Sequence, residues 1–208
     1  MKYIKYIKYL LIIIIVYISI SLLPNKTIDP NKLMIIVHPE DGLIWGGNEL
    51  SKGSYLVICL TCNKKDTDFI NIMNKMHNDY IFLDYDESTN FSEEYNILNN
   101  KLKYYLNKKD WLKIITHNQE GEYGNIPNKI ISERVTTLLS NKNNLYYFSK
   151  YYLEDDFSKE SIKYYQLNEE EYLNKIKYIS MLKDLDYINE FKHLLPYESF
   201  QKWGDLNE

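Results

Sequence analysis

Apolar residues in this chain gather in five short continuous runs, 33–37, 55–61, 80–85, 111–115 and 145–148, each followed by polar or turn-forming residues. Runs of this length bounded by turn signals predict strands buried on both faces. The stretches between them carry helical spacing instead. A short helix is expected over 44–52, another over 67–76, one over 91–106 with Ile97, Leu98 and Tyr105 placed for one face, and one over 130–139. Residues 169–195 form a long, charged, amphipathic stretch that predicts one helix or a helix pair. Strands alternating with helices predict an α/β fold, a Rossmann-like mainly parallel sheet with flanking helices. There is no internal repeat.

The pattern before residue 33 is different. Lys2, Lys5 and Lys8 precede an uncharged run over 9–23. Fifteen residues are short for a bilayer crossing, which needs about 20. They suit a signal-peptide core, or an anchor extended by residues 3–9 with its lysines snorkelling. Ser19-Ile20-Ser21 is a weak small-x-small cleavage site and no Ala-x-Ala exists, which favours an uncleaved anchor over a secreted product. Lysines on the amino-terminal side keep that end cytoplasmic and send the domain across. The expected organisation is a signal-anchor or signal peptide over 1–24, a polar linker over 25–32 between Pro24 and Pro30, and one α/β domain over 33–208. Asn25-Lys26-Thr27 and Asn90-Phe91-Ser92 are sequons for a domain on the lumenal or extracytoplasmic side.

Composition changes little. The chain has 208 residues, 45% of them hydrophobic, enough for a core, and its net charge of −4 without a basic stripe argues against a nucleic-acid partner. It has no Ala, a single Arg (Arg134) and 21 Tyr. That bias reflects coding composition and core packing more than sugar stacking.

Chemistry concentrates where strands end, the edge at which open α/β sheets bind ligands. The first run leads into His38-Pro39-Glu40-Asp41-Gly42. A His and an Asp three apart can ligate one Zn²⁺, and a carboxylate between them could take a proton from a metal-bound water. The plainer reading is a turn, with Pro39 fixing φ. The fourth run leads into Thr116-His117-Asn118-Gln119-Glu120-Gly121-Glu122-Tyr123-Gly124-Asn125.

Together HPEDG and THNQEGEYGNIPN resemble the motifs of the PIG-L/LmbE-like family of zinc-dependent N-acetylglucosamine de-N-acetylases, which carries HPDDE after its first strand and THN, GEYGH and a further His after a later one. Fainter echoes are Gly46-Gly47 and Tyr178-Ile179-Ser180, and the similarity covers roughly 33–181. The resemblance implies Zn²⁺ as cofactor, His38 and Asp41 as two of its ligands, and Glu40, normally Asp, as catalytic base. It puts a third ligand where this chain has Asn128, and a second His that stabilises the transition state where it has Asn125. His117, Asn118, Glu122 and Tyr123 fall on the substrate pocket, and the implied partner is an N-acetylglucosamine conjugate. GlcNAc-phosphatidylinositol of GPI biosynthesis is one candidate. Gly42 replaces an acidic residue, and Ile126-Pro127 stands where the family has Pro-Asp. An amide nitrogen cannot bind zinc, so the family site is half present.

Cys59 and Cys62 are the only cysteines. With Cys59 inside a predicted strand, side chains three apart should point to opposite faces, and the expectation is two buried thiols without a disulfide. His117 is the best substitute ligand if it is not simply bonded to backbone. His77 and His193 are expected at the surface.

Three functional classes follow. The first is a membrane-anchored zinc de-N-acetylase. The second is a degenerate relative that binds a sugar or a protein without turnover. The third is an unrelated α/β domain with a chance match.

Overall fold

The computed structural model describes residues 29–89, 95–160, 164–183 and 187–205. The lysine-flanked run over 9–23, both sequons and the first half of the linker lie outside the described residues. No described helix is long and apolar enough to cross a membrane.

Five parallel strands form as the apolar runs predict: β1 (Lys32–Ile36), β2 (Tyr55–Cys59), β3 (Asp79–Phe82), β4 (Lys113–Thr116) and β5 (Leu145–Phe148). Two short strands follow late in the chain, β7 (Tyr197–Glu198) and β8 (Phe200–Lys202). The sheet order is β3-β2-β1-β4-β5-β8, with β8 antiparallel on β5. Strand order reverses between β1 and β4, the switch point at which doubly wound sheets open a crevice. β6 (Tyr165–Gln166) pairs with β7 as a separate ribbon.

Both faces of the sheet are covered. On one, α1 (Pro39–Ser51), α2 (Thr67–Lys75) and α6 (Glu169–Ile179) pack over Met34, Ile36, Val57 and Phe148. On the other, α3 (Tyr95–Leu106) and α4 (Ile126–Leu138) pack over Leu33, Ile35, Ile58 and Tyr147. A shorter helix, α5 (Glu154–Glu160), follows β5. Alternate residues of β1 therefore feed different cores, which is why the strand reads as unbroken apolar sequence.

Three expectations are corrected. α1 begins at Pro39 rather than at residue 44, because Pro is pre-set for the first helical position and Asp41 bonds back to the cap. The stretch over 169–195, expected as one helix or a helix pair, ends its α-helix at Ile179 and has a 3-10 turn, Tyr187–Phe191, in place of a second α-helix among the described residues. Cys59 and Cys62 form a disulfide with Cα atoms 5.4 Å apart. Strand β2 ends at Cys59, so the alternation that would separate the two side chains no longer applies at Cys62.

α1 is broken at Gly46, whose φ of −142° and ψ of 21° leave the helical region. The amides of Asn48 and Glu49 donate instead to the Glu198 carboxylate at 2.9 and 2.7 Å. Lys175 of α6, fully buried, pairs with Glu198 at 3.5 Å. Gly47 permits this approach, since a Cβ there would stand 3.0 Å from Lys175 Cγ.

Candidate active site at the switch point

His38 ends the loop from β1 and caps α1, while His117 follows β4 directly. The switch point therefore brings HPEDG and THNQEGEYG side by side. The His38 amide donates to Asp41 Oδ2 at 2.9 Å, and the His38 ring meets the same oxygen through Nδ1 at 3.2 Å. His117 Nε2 lies 3.7 Å from that oxygen and accepts the Val37 amide at 2.9 Å. Nε2 is thus an acceptor, so neutral His117 carries its proton on Nδ1 and donates it to Glu122 Oε2 at 3.1 Å.

Glu122 is the hub of the second motif. It is 1% exposed and also accepts from the Asn118 amide at 2.8 Å and from Asn128 Nδ2 at 2.9 Å. Its backbone is left-handed, at φ 55° and ψ −74°, an arrangement that costs about 1–3 kcal/mol for a non-glycine residue. Bonds on all sides hold it there. Asn118 Oδ1 accepts the Glu120 and Glu122 amides, and the Glu122 carbonyl accepts the Tyr151 amide. Gly121, at φ +66°, makes the turn and leaves no room for a Cβ beside Lys129.

Asn125 caps α4, its Oδ1 accepting the Asn128 amide at 3.0 Å, and its Nδ2 faces the Tyr123 hydroxyl at 3.3 Å. Asn128 is fully buried, and its Oδ1 has no hydrogen-bond partner. Sequence-selected residues on both motifs are therefore linked in one chain of contacts from His38 through Asp41, His117 and Glu122 to Asn128. Glu40 sits in the first turn of α1 beside Asp41.

One participant escaped the sequence reading. Glu87, on a 3-10 turn after β3, meets His38 Nε2 at 2.6 Å. Its only sequence signal is that it follows the third predicted strand, the same edge as the two motifs. His193, expected at the surface, is partly buried and bonds the Tyr152 carbonyl through Nε2 at 2.8 Å. His77 is exposed, as expected.

The carboxylates set the charge of this cluster. Burial works against a charged His38, yet the Asp41 bond and the Asp41, Glu40 and Glu87 charges prevail and lift its pKa to about 9. Burial penalises the Asp41 carboxylate as well, but the His38 bond and the two imidazoles bring its pKa below the usual range. Glu40 moves upward, through burial and then through the Asp41 charge. Burial disfavours charge on His117 and Glu122 favours it, with a net upward shift, although a proton on Nε2 must displace the Val37 bond.

A stability consequence follows for His38. A native pKa above the ordinary 6.5 stabilises the fold fully below pH 6.5, and the contribution disappears as pH rises through about 9. Urea midpoints measured from pH 6 to 10 are expected to fall over this window by the equivalent of about 1–3 kcal/mol, and to flatten in His38→Gln.

The donors do not fit zinc as they stand. Zinc binds neutral imidazole, but both nitrogens of His38 are engaged, by Asp41 and Glu87. His117 Nε2 is engaged by Val37. Among the described residues no group of three His, Cys, Asp or Glu is placed to hold a metal ion. Asn128 Oδ1 is the one orphaned acceptor among these candidate donors, and a neutral amide oxygen suits harder ions.

Known proteins place this geometry in context. No family model matches the chain. The chain is 34% identical over 146 residues to the uncharacterized protein L374 of Acanthamoeba polyphaga mimivirus, a match covering 60% of this chain and 64% of that protein. It therefore spans less than two thirds of that relative's length. Among solved structures, the fold is shared with the N,N'-diacetylchitobiose deacetylase of Pyrococcus horikoshii, at a TM-score of 0.55 and 13% identity over 90% of each chain.

Proposed function

We propose that this chain is a de-N-acetylase-like protein that recognises an N-acetylglucosamine conjugate at the β1–β4 switch point and turns it over slowly at most. The observation that carries this reading is the contact chain from His38 to Asn128, built by both strand-end motifs on a fold shared with a diacetylchitobiose deacetylase. Glu40, with a raised pKa, is the group suited to proton transfer. Glu122 and Asn118 shape the floor, and Tyr123 and Asn125 edge it. The zinc that the family resemblance implies lacks its third ligand, the imidazole that Asn128 replaces.

Residues 9–23 would tether the domain to a membrane on its lumenal or extracytoplasmic side. The Cys59–Cys62 disulfide supports that side, because such bonds persist in oxidising compartments.

Three measurements on the purified chain test the reading: calorimetric titration with N-acetylglucosamine, zinc content, and acetate release. The expected result is saturable sugar binding, substoichiometric zinc, and turnover far below the 1–10³ s⁻¹ that is typical of enzymes. Absence of binding to any N-acetylated sugar would overturn the reading. Stoichiometric zinc with fast acetate release would instead establish an efficient metalloenzyme.

A further inference from the structure

The turn that follows β2 is closed by the Cys59–Cys62 disulfide and bonded to the chain on both sides. Toward β1, the Leu60 amide donates to the Ile36 carbonyl at 3.0 Å. The Thr61 amide and hydroxyl donate to the Val37 carbonyl at 3.1 and 2.8 Å, one residue before His38. Toward β3, the carbonyls of Cys59, Leu60 and Cys62 accept the amides of Leu83, Tyr85 and Asp84 at 3.1, 2.9 and 3.1 Å. Glu87 follows shortly after and reaches His38 Nε2 at 2.6 Å. The turn thus stands between the two segments that make this contact and holds both. Asp84 has a φ of 56°, uncommon for a residue other than glycine, and its amide is the one bonded to Cys62. Such a conformation persists only where its surroundings fix it. Cys62 lies beyond the end of β2, so the sulfur bridge is what ties its carbonyl back to the strand.

We propose that the Cys59–Cys62 disulfide is a redox clamp on the switch-point rim: closed, it sets Glu87 against His38, and a dithiol that reduces it releases that contact. Both cysteines are buried, so the dithiol traps them when the turn opens. One of its thiolates attacks Cys62 Sγ, and the Cys59 thiolate leaves and takes a proton. The second thiol then resolves the mixed disulfide. Two electrons and two protons pass to the cysteines, and the dithiol departs as its own disulfide. The freed Cys59 thiol lies 3.5 Å from the Val37 carbonyl, where it competes with Thr61 for that acceptor. Asp84 loses its fixed partner and relaxes, and His38 Nε2 is uncovered, whatever ligand the site takes.

The test is hydrogen exchange, read by mass spectrometry, on the full chain in detergent in three forms: oxidised, reduced by dithiothreitol, and Cys59→Ser/Cys62→Ser. Residues 83–88 are expected to exchange about tenfold faster in both opened forms, as the loss of one or two backbone hydrogen bonds implies. The strands β4 and β5 should not change. In parallel, carbethoxylation of His38 by diethylpyrocarbonate should speed up several-fold in the double variant and in Glu87→Ala, measured against the exposed His77. If the double variant does not fold, the reduced wild type, freed of reagent, carries both measurements. Unchanged exchange at 83–88 with unchanged His38 labelling overturns the clamp, and so does faster exchange spread evenly over the sheet. A disulfide that dithiothreitol reduces only in unfolding urea is a fixed brace and overturns the redox role. None of these outcomes bears on whether the site binds a sugar.

Discussion

Replacing Asn128 by histidine is expected to raise zinc affinity by about 100-fold or more, given that even outer-shell partners of a metal ligand are worth 10–100-fold. The surroundings favour this gain. Glu122 Oε2 already accepts from Asn128 Nδ2 at 2.9 Å, so it is placed to accept one N–H of an introduced imidazole and leave the other nitrogen toward the cluster. Carboxylate-oriented histidine is a common metal ligand. The larger ring must be packed into a fully buried position, at about 1–3 kcal/mol of stability. His38 must also release its proton, so the affinity should climb with pH up to about 9. Competitive chelator titration of both proteins between pH 6.5 and 9 measures this. An unchanged affinity would mean that position 128 does not face the metal. Acetate release should recover less than zinc does, because Asn125 still stands where the family has its second histidine.

The second large effect concerns Glu122. Glu122→Ala is expected to destabilise the fold by about 3–5 kcal/mol, the range for removing one partner of a buried charged network. Three donors lose their acceptor at once: His117 Nδ1, the Asn118 amide and Asn128 Nδ2. The backbone at this position, at positive φ, then keeps only its amide and carbonyl bonds to hold it. Urea unfolding should show a lower midpoint with an unchanged m-value. Glu122→Gln should recover only part of the loss, because its amide nitrogen must face one of the three donors. A variant within 1 kcal/mol of wild type would show that the network contributes little.

Much of this arrangement is legible from residue order. Runs such as 33–37 fixed the strands because both faces of a parallel sheet are buried, so burial is written as continuous apolar sequence. Strand ends then located His38, Asp41, His117 and Glu122 on one edge. What escaped was set by distance along the chain or by an element's brevity. Glu87 meets His38 across 49 residues, and no local pattern announces such a pairing. β8 has three residues, too few for a period to register, and its place on β5 is decided by packing. The Cys59–Cys62 bond depended on three residues of strand length: had β2 continued through Cys62, the two sulfurs would have faced apart. Pro39 looked like a turn residue because the same fixed φ serves both a turn and a first helical position.

The Glu198 carboxylate has a meaning in time as well as in space. Asn48 and Glu49, a few residues beyond the first motif, find their acceptor 150 and 149 residues later. While the chain emerges amino end first, at about 5–20 residues per second, the broken turn of α1 stays without that acceptor for many seconds after its own residues appear. A nascent chain can pair β1 with β2 early, but the helix that carries His38 and Asp41 is not closed until almost the whole domain has been delivered. The motif is thus among the first parts of the domain to be made and among the last to be finished.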